Sequence, residues 1–396
     1  MPHPRDVFAF VARVGPHAAL FRCPGSIIPA MQFGRLSLFL IAAALAAAQS
    51  PNPAPTPVQT QPQHQAQEVW QMQDSTTTAG LRGIDSVDGT TAWASGTGGA
   101  VLKTTDGGQQ WQHCSIPDAA TDGATLDFRG VQAWDAQTAI VMASGPGDKS
   151  RLYKTTDGCN SWKLILKNTG SEGFWDSISV ADQENMMILG DPVDGQFSIS
   201  LTTDGGRTWD KTTDNGLQSK TKEGAFAASN SSLLVDWEDG IAAFGTGSPN
   251  GARLFEECDP CTRAAMWAAT AMLPFPKGGA AGIFSMNLRD WRHWIAVGGD
   301  YTKPNESAGT AAWSSNGGST WTASTTPPHG YRSTVQWSES LKLWITAGTN
   351  GSDISRDDGR TWQLLDNGNW NALSFPFIVG PQGRIARLNS QALPEP

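Results

Sequence analysis

This chain has little tyrosine, little charge and no long apolar run. Three tyrosines stand against 17 tryptophans and 43 glycines in 396 residues, and only 16% of the residues are charged. That balance fits turn-rich β structure and speaks against a helical bundle. The formal net charge of -9 excludes a general binder of nucleic acid or acidic membrane and leaves only local basic patches. No apolar run reaches the roughly 18 residues of a membrane span, so no stable membrane insertion is expected. No stretch keeps a helical period. His113, His293 and His329 are dispersed in sequence, so neither a metal, a catalytic triad nor a cofactor is expected.

The N-terminal part is organised by composition. In "MQFGRLSLFLIAAALAAAQS" (31–50), Arg35 precedes an apolar run from Leu36 to Ala48 that ends in small residues. The run is too short to span a bilayer and has the pattern of a secretory signal peptide, with cleavage after Ala48. No cysteine follows it, which argues against a lipid anchor. Signal peptides begin near the initiator, so Met31 is the expected start and 1–30 an upstream extension. Residues 49–67, rich in Pro and Gln, read as an extended tether. The folded part is then 68–396, in a protein exported to the periplasm or secreted.

Five cysteines are present, one of them (Cys23) in the leader. Cys258 and Cys261 form "CDPC", in an exported chain a tight local disulfide. A zinc site would need two further ligands nearby, and none is found. Cys114 and Cys159 have no evident partner.

What the chain does have is a repeat. "KTTDGGQQW" (103–111) returns as "KTTDGCNSW" (154–162), "LTTDGGRTW" (201–209), "WSSNGGSTW" (313–321) and "ISRDDGRTW" (354–362). The intervals from Asp106 to Asp157, Asp204, Asn316 and Asp357 are 51, 47, 112 and 41 residues. The long interval leaves room for one more copy, visible in degenerate form at 251–267, which keeps Trp267 but not the clip. Short, alternating, turn-bounded segments surround each copy, four strands to a unit. A repeated four-stranded unit of this length is a propeller blade. First strands open at Leu81, Phe128, Phe174, Phe226, Ile283, Tyr331 and Trp370, giving seven blades. The last has three strands of its own, and "EVWQMQDS" (68–75) is placed to supply its fourth. The expected fold is all-β, a seven-bladed β-propeller of four-stranded antiparallel blades closed by the N-terminal strand.

The repeated motif has a structural rationale. Asp or Asn accepts hydrogen bonds from backbone amides a few residues on, and Gly supplies the positive φ of a tight turn. The tryptophans, Trp111, Trp162, Trp209, Trp321 and Trp362, then pack sideways. A catalytic acid would not recur five times at equivalent peripheral positions, nor be replaced by Asn316. The motif matches the Asp-box of BNR-repeat propellers. Over about 81–390, "FRGVQAWDAQTAIVM", "ILGDPVDG", "VGGDYTKP" and "AGTNGSD" resemble blade motifs of the photosystem II stability/assembly factor-like branch. The resemblance implies the propeller fold and an accessory role without known catalysis.

A binding site is expected where first strands open onto the central channel. Arg82, Arg129 and Arg332 hold equivalent positions there, and guanidinium groups suit a carboxylate or phosphate. Asp176 and Glu223 could balance their charge. Asp191, and Asp300 with Tyr301 and Lys303, lie on loops expected at the same face. The plainer alternative is that these arginines only bind neighbouring blades together. An enzymatic alternative is a sialidase-like glycosidase acting on an acidic glycan, with Tyr331 as nucleophile, Glu223 polarising it and Asp176 as acid/base. The Arg-Ile-Pro element of that group is missing, however. The favoured reading is a monomeric, exported accessory protein that binds a protein partner or acidic ligand through an Arg-lined face.

Overall fold

The computed structural model describes residues 68–118, 120–212, 215–258 and 266–395. The expectations for 1–67, and the pairing of Cys258 with Cys261, fall outside these residues. Seven four-stranded antiparallel sheets make up the fold, and the only helical pieces among the described residues are short 3-10 turns. In blades 1 to 6 the strands pair in chain order; blade 1 is Leu81–Ser86, Ala92–Gly96, Val101–Thr104 and Gln112–His113. Blade 7 takes Ala372–Ser374, Phe377–Val379 and Ile385–Leu388 from the C-terminal end and Trp70–Gln73 from the front. Trp70 stands opposite Leu388 and Gln73 opposite Ile385. The N-terminal strand thus completes the last blade, and the ring closes as expected.

Burial is deepest in the second strand of each blade and lowest at the rim, and the sequence follows it. Second strands such as Ala139–Ala143 and Leu343–Gly348 are buried at every residue, because sheets pack on both of their faces. They therefore read as continuous apolar runs without alternation. Outer strands are short and exposed, as at Gln112–His113 and Thr322–Ala323. Seven apolar clusters fill the wedges between neighbouring blades; the one between blades 1 and 2 holds Trp93, Phe128, Val141 and Tyr153. Single polar side chains also stitch inner strands together. Asp85 Oδ2 accepts from Ala133 N at 2.7 Å, Ser285 Oγ from Val335 N at 2.9 Å and Ser374 Oγ from Ser86 N at 2.9 Å.

The five clips lie between third and fourth strands, on the rim. In the third copy Thr202 Oγ1 donates to Asp204 Oδ1 at 2.9 Å, while Gly206 N donates to Thr202 Oγ1 at 3.0 Å. Asp204 Oδ1 also accepts from Thr208 N at 2.9 Å. Asp106, Asp157, Asn316 and Asp357 repeat this pattern. A further bond reverses with Asn316: where Thr208 Oγ1 donates to Asp204 Oδ2 at 2.7 Å, Asn316 Nδ2 donates to Thr320 Oγ1 at 2.9 Å. Asn can replace Asp here because the clip needs an acceptor at Oδ1 and only a polar partner at the second atom.

Two features depart from the sequence reading. Cys114 and Cys159 form a disulfide with Cα atoms 5.4 Å apart, joining the rim of blade 1 to the clip of blade 2. Cys159 stands where the other clips have glycine and keeps the glycine-like φ of 71°. The second departure is in blade 4. Its first strand is Leu233–Asp236, seven residues beyond the expected opening at Phe226. The segment 225–232 instead crosses the central channel. Ala227 O accepts from Arg129 Nη1 of blade 2 at 3.2 Å. Asn230 bonds both backbone groups of Ile178 in blade 3, at 2.8 and 3.0 Å. Ser231 Oγ donates to Ser285 Oγ of blade 5 at 2.7 Å, and Ser229 Oγ to Ser333 O, just before blade 6, at 2.6 Å. The channel is stoppered, so its mouth is a cup with a floor.

Candidate functional site at the channel mouth

Four inner strands carry a one-residue bulge near their start, at Arg82, Arg129, Asp176 and Phe284. A bulged residue leaves the pairing ladder and its side chain is re-aimed. In each case the next residue is small: Gly83, Gly130, Ser177 and Ser285. A Cβ on Gly83 would lie 2.6 Å from Ser95 Oγ and 3.1 Å from Arg129 O, and one on Gly130 would lie 2.8 Å from Asn230 Oδ1. The close packing that lets the bulge form requires the small residue. Around the mouth, blades 1 and 2 therefore present arginine, blade 3 an acid and blade 5 an aromatic ring.

Arg82 and Arg129 share one carboxylate. Asp127 Oδ2 accepts from Arg129 Nε at 2.8 Å and lies 3.5 Å from Arg82 Nε. Arg129 is further held by Ala227 O and stacks over the Phe174 ring at 5.6 Å. Among the described residues Arg82 makes no hydrogen bond, although a third of its side chain remains exposed (34%). Burial, and then the Arg129 charge, depress its basicity below the usual guanidinium range, while Asp127 partly offsets them. Two cations for one anion leave a net positive charge whose donors have free capacity.

The acids sit on the other flank. Asp176 is 1% exposed and its Oδ2 has no hydrogen-bond partner. Burial, and then the neighbouring Asp191, push its carboxyl well above the usual range, against the pull of Arg129. Asp191 is likewise raised by burial, and its Oδ1 accepts from Ala225 N at 3.0 Å. Asp191, Lys222, Glu223, Phe226 and Gly279 line a cavity of about 370 Å³ beside the stopper.

The remaining sequence-derived residues are placed as follows. Arg332 does not meet the other two arginines. It is fully buried and held by Asp353, donating Nε to Oδ2 at 2.8 Å. The strand it precedes, Thr334–Ser338, carries no bulge, so nothing turns the guanidinium toward the axis. Glu223 is committed to Arg253 Nε at 2.8 Å, Thr246 Oγ1 at 2.7 Å and Lys220 N at 2.7 Å. Burial opposes its ionisation, but these hydrogen bonds hold its carboxyl below the usual range. Tyr331 is buried and its phenol is pushed above the usual range by burial. Its electrostatic neighbours are Arg82 and Tyr301, and Glu223 is not among them. The carboxylate of Glu223 is thus engaged by Arg253, Thr246 and Lys220, while the Tyr331 ring packs on Phe284. Asp300 caps its own turn through Thr302, and Lys303 faces Glu306 at 3.4 Å.

Three contributors escaped the sequence reading. Asp127 bridges the arginines, Phe226 forms part of the stopper, and Phe284 is the bulged residue of blade 5. The Phe226 and Phe284 rings stack with centroids 3.7 Å apart, and Tyr331 meets Phe284 edge-on at 4.8 Å. A signal for the bulged positions was present: Arg-Gly, Arg-Gly, Asp-Ser and Phe-Ser pairs at the start of first strands.

No family model and no curated protein matches the sequence. Among solved structures, a YCF48 bound to a D1 peptide superposes with a TM-score of 0.57 at 17% identity, covering 82% of this chain and 98% of that one. YCF48 from Cyanidioschyzon merolae gives 0.57 at 16% identity, covering 82% and 99%. The likeness is one of fold. It extends over almost the whole of both YCF48 chains, and YCF48 is a photosystem II assembly factor, the branch that the blade motifs resemble. Among the described residues no group of three or more His, Cys, Asp or Glu could hold a metal ion.

Proposed function

We propose that the protein is an exported accessory factor, without catalytic activity, that binds an acidic segment of a partner protein at the Arg82–Arg129 mouth. One observation carries the reading: Arg82 and Arg129 share the single carboxylate of Asp127, and the Arg82 side chain, 3.5 Å from it, makes no hydrogen bond among the described residues. A partner carboxylate would supply both the missing acceptors and the missing charge. The fold likeness to a YCF48 solved with a bound peptide supports a peptide as the ligand class. Export is supported by the signal-like segment at 31–48 and by the Cys114–Cys159 bridge, since disulfides persist in oxidising compartments.

Fluorescence anisotropy with a labelled Glu-containing peptide tests the site. Arg82→Ala should weaken binding by about 10-fold or more, as expected for a charge-assisted contact, and added salt should weaken it further. Equal affinity for Arg82→Ala and the unmodified protein would reject the site.

A further inference from the structure

The mouth has a second kind of wall. Beside the arginines, Phe226, Phe284, Tyr301 and Tyr331 form one connected aromatic lobe. Phe284 is its centre, stacked on Phe226, edge-on to Tyr331 and edge-on to Tyr301 at 6.1 Å. The lobe is contiguous with the cationic side, because Arg129 Nη1 donates at 3.2 Å to the carbonyl of Ala227, the residue after Phe226. At 53% Tyr301 is the most exposed aromatic side chain among the described residues, ahead of Trp291 at 48%. It stands on the turn after Trp294–Asp300, its backbone N fixed to Ala280 O at 3.2 Å, so the ring is presented from a held position.

Charge complementarity selects the occupant. Arg82 calls for a carboxylate, and the adjoining exposed ring calls for an apolar or aromatic side chain on the same ligand. The floor of the cup is closed by 225–232, which is bonded to blades 2, 3 and 5 and to Ser333, so a chain can lie across it but cannot thread through. Alternate residues of an extended chain face the same side about 7 Å apart, so two side chains of one segment can meet the cationic wall and the adjoining rings together.

We infer that the mouth reads an extended segment in which an acidic side chain is followed two residues later by an aromatic one, the acid at Arg82 and the ring on Tyr301 and Phe226. This inference rests on the binding role proposed for Arg82 and adds the lobe as its specificity-determining half. Aromatic contacts of this kind are worth about 3- to 10-fold in affinity.

The test uses four labelled, C-terminally amidated peptides on a Gly/Ser background: Glu-Ser-Phe, Glu-Ser-Gly, Glu-Phe-Ser and Gln-Ser-Phe. A fifth, Gln-Ser-Phe with a free C-terminal carboxylate, distinguishes a chain end from a side chain. The unmodified protein should prefer Glu-Ser-Phe to Glu-Ser-Gly and to Glu-Phe-Ser by about 3- to 10-fold. Tyr301→Ala should remove that preference, so that the variant binds Glu-Ser-Phe and Glu-Ser-Gly alike, and Tyr301→Phe should restore it. Arg82→Ala should weaken both Glu-Ser-Phe and Glu-Ser-Gly. Equal, Arg82-dependent binding of Glu-Ser-Phe and Glu-Ser-Gly overturns the lobe's role and leaves the arginine site standing. No binding of any peptide overturns both. Tightest binding of the peptide with only a terminal carboxylate overturns the side-chain assignment.

Discussion

The Cys114–Cys159 bridge allows a prediction whose size follows from chain geometry. It closes a loop of 45 residues between two blades. In the chain-entropy account, a crosslink over that length removes about 13 cal/mol/K from the unfolded ensemble, or about 4 kcal/mol of stability at 25 °C. The two cysteines are not equivalent, however. Cys159 occupies a clip position with φ of 71°, where glycine is at ease and an L side chain is not. The Cys114→Ser/Cys159→Ser variant should therefore lose about 4 kcal/mol. Cys114→Ser/Cys159→Gly restores the clip glycine and should recover about 1 kcal/mol of that. Urea titrations of both variants, beside the unmodified protein with and without dithiothreitol, give the three quantities. Reduction should bring the unmodified protein close to the Ser variant and leave both variants unmoved. Coincident midpoints for the oxidised and reduced protein would refute the reasoning, because the bridge would then constrain nothing that unfolding releases.

Other consequences can be measured in the same way. Burial raises the Asp85 carboxyl to about 6 from an ordinary 3.8, against the hydrogen bond from Ala133 N. The folded state thus favours the proton. The stability that neutral Asp85 contributes is full below pH 3.8 and is lost as pH rises through 6. Asp85→Asn keeps the acceptor, so it should match the unmodified protein near pH 4 and exceed it at pH 8 by about 1 to 3 kcal/mol, as followed by urea unfolding; a gap independent of pH would reject this. Trp70 closes the ring, donating Nε1 to Ser352 Oγ at 2.9 Å and packing on Trp370 at 6.1 Å between centroids. Trp70→Ala should cost about 3 to 5 kcal/mol and expose the unpaired edge of Ile385–Leu388, seen as a lower Tm and concentration-dependent light scattering.

What could be read from the sequence was whatever repeats. The clip recurs because every blade needs the same hairpin, and Asn316 in place of Asp marked it as structural before any hydrogen bond was visible. The missing strand of blade 7 was legible because 68–75 resembles the segments that follow other clips. The Cys114–Cys159 pair was not legible, because its partners meet only when two blades stack, a relation that spacing along the chain does not contain. Arg332 was grouped with Arg82 and Arg129 by counting from the start of each blade. That count assumes every first strand begins alike, whereas the side-chain direction depends on a bulge that blade 6 lacks.

The same contrast bears on where function resides in a ring of near-equivalent parts. Seven similar blades alone would give a symmetric channel with identical residues facing inward, and nothing in it would choose a ligand. The chain breaks the symmetry at blade 4. It delays the first strand there to Leu233, and the residues so released close the channel. Closing it brings Phe226 onto Phe284 and Ala227 O onto Arg129, so one departure both floors the cup and sets its aromatic and cationic walls. Rigid blades can hold such a site because their own stability comes from the wedges and clips and does not depend on the mouth. The excess charge of two arginines on Asp127 and the unpartnered oxygen of Asp176 are then tolerable costs, confined to the one place where a partner can relieve them.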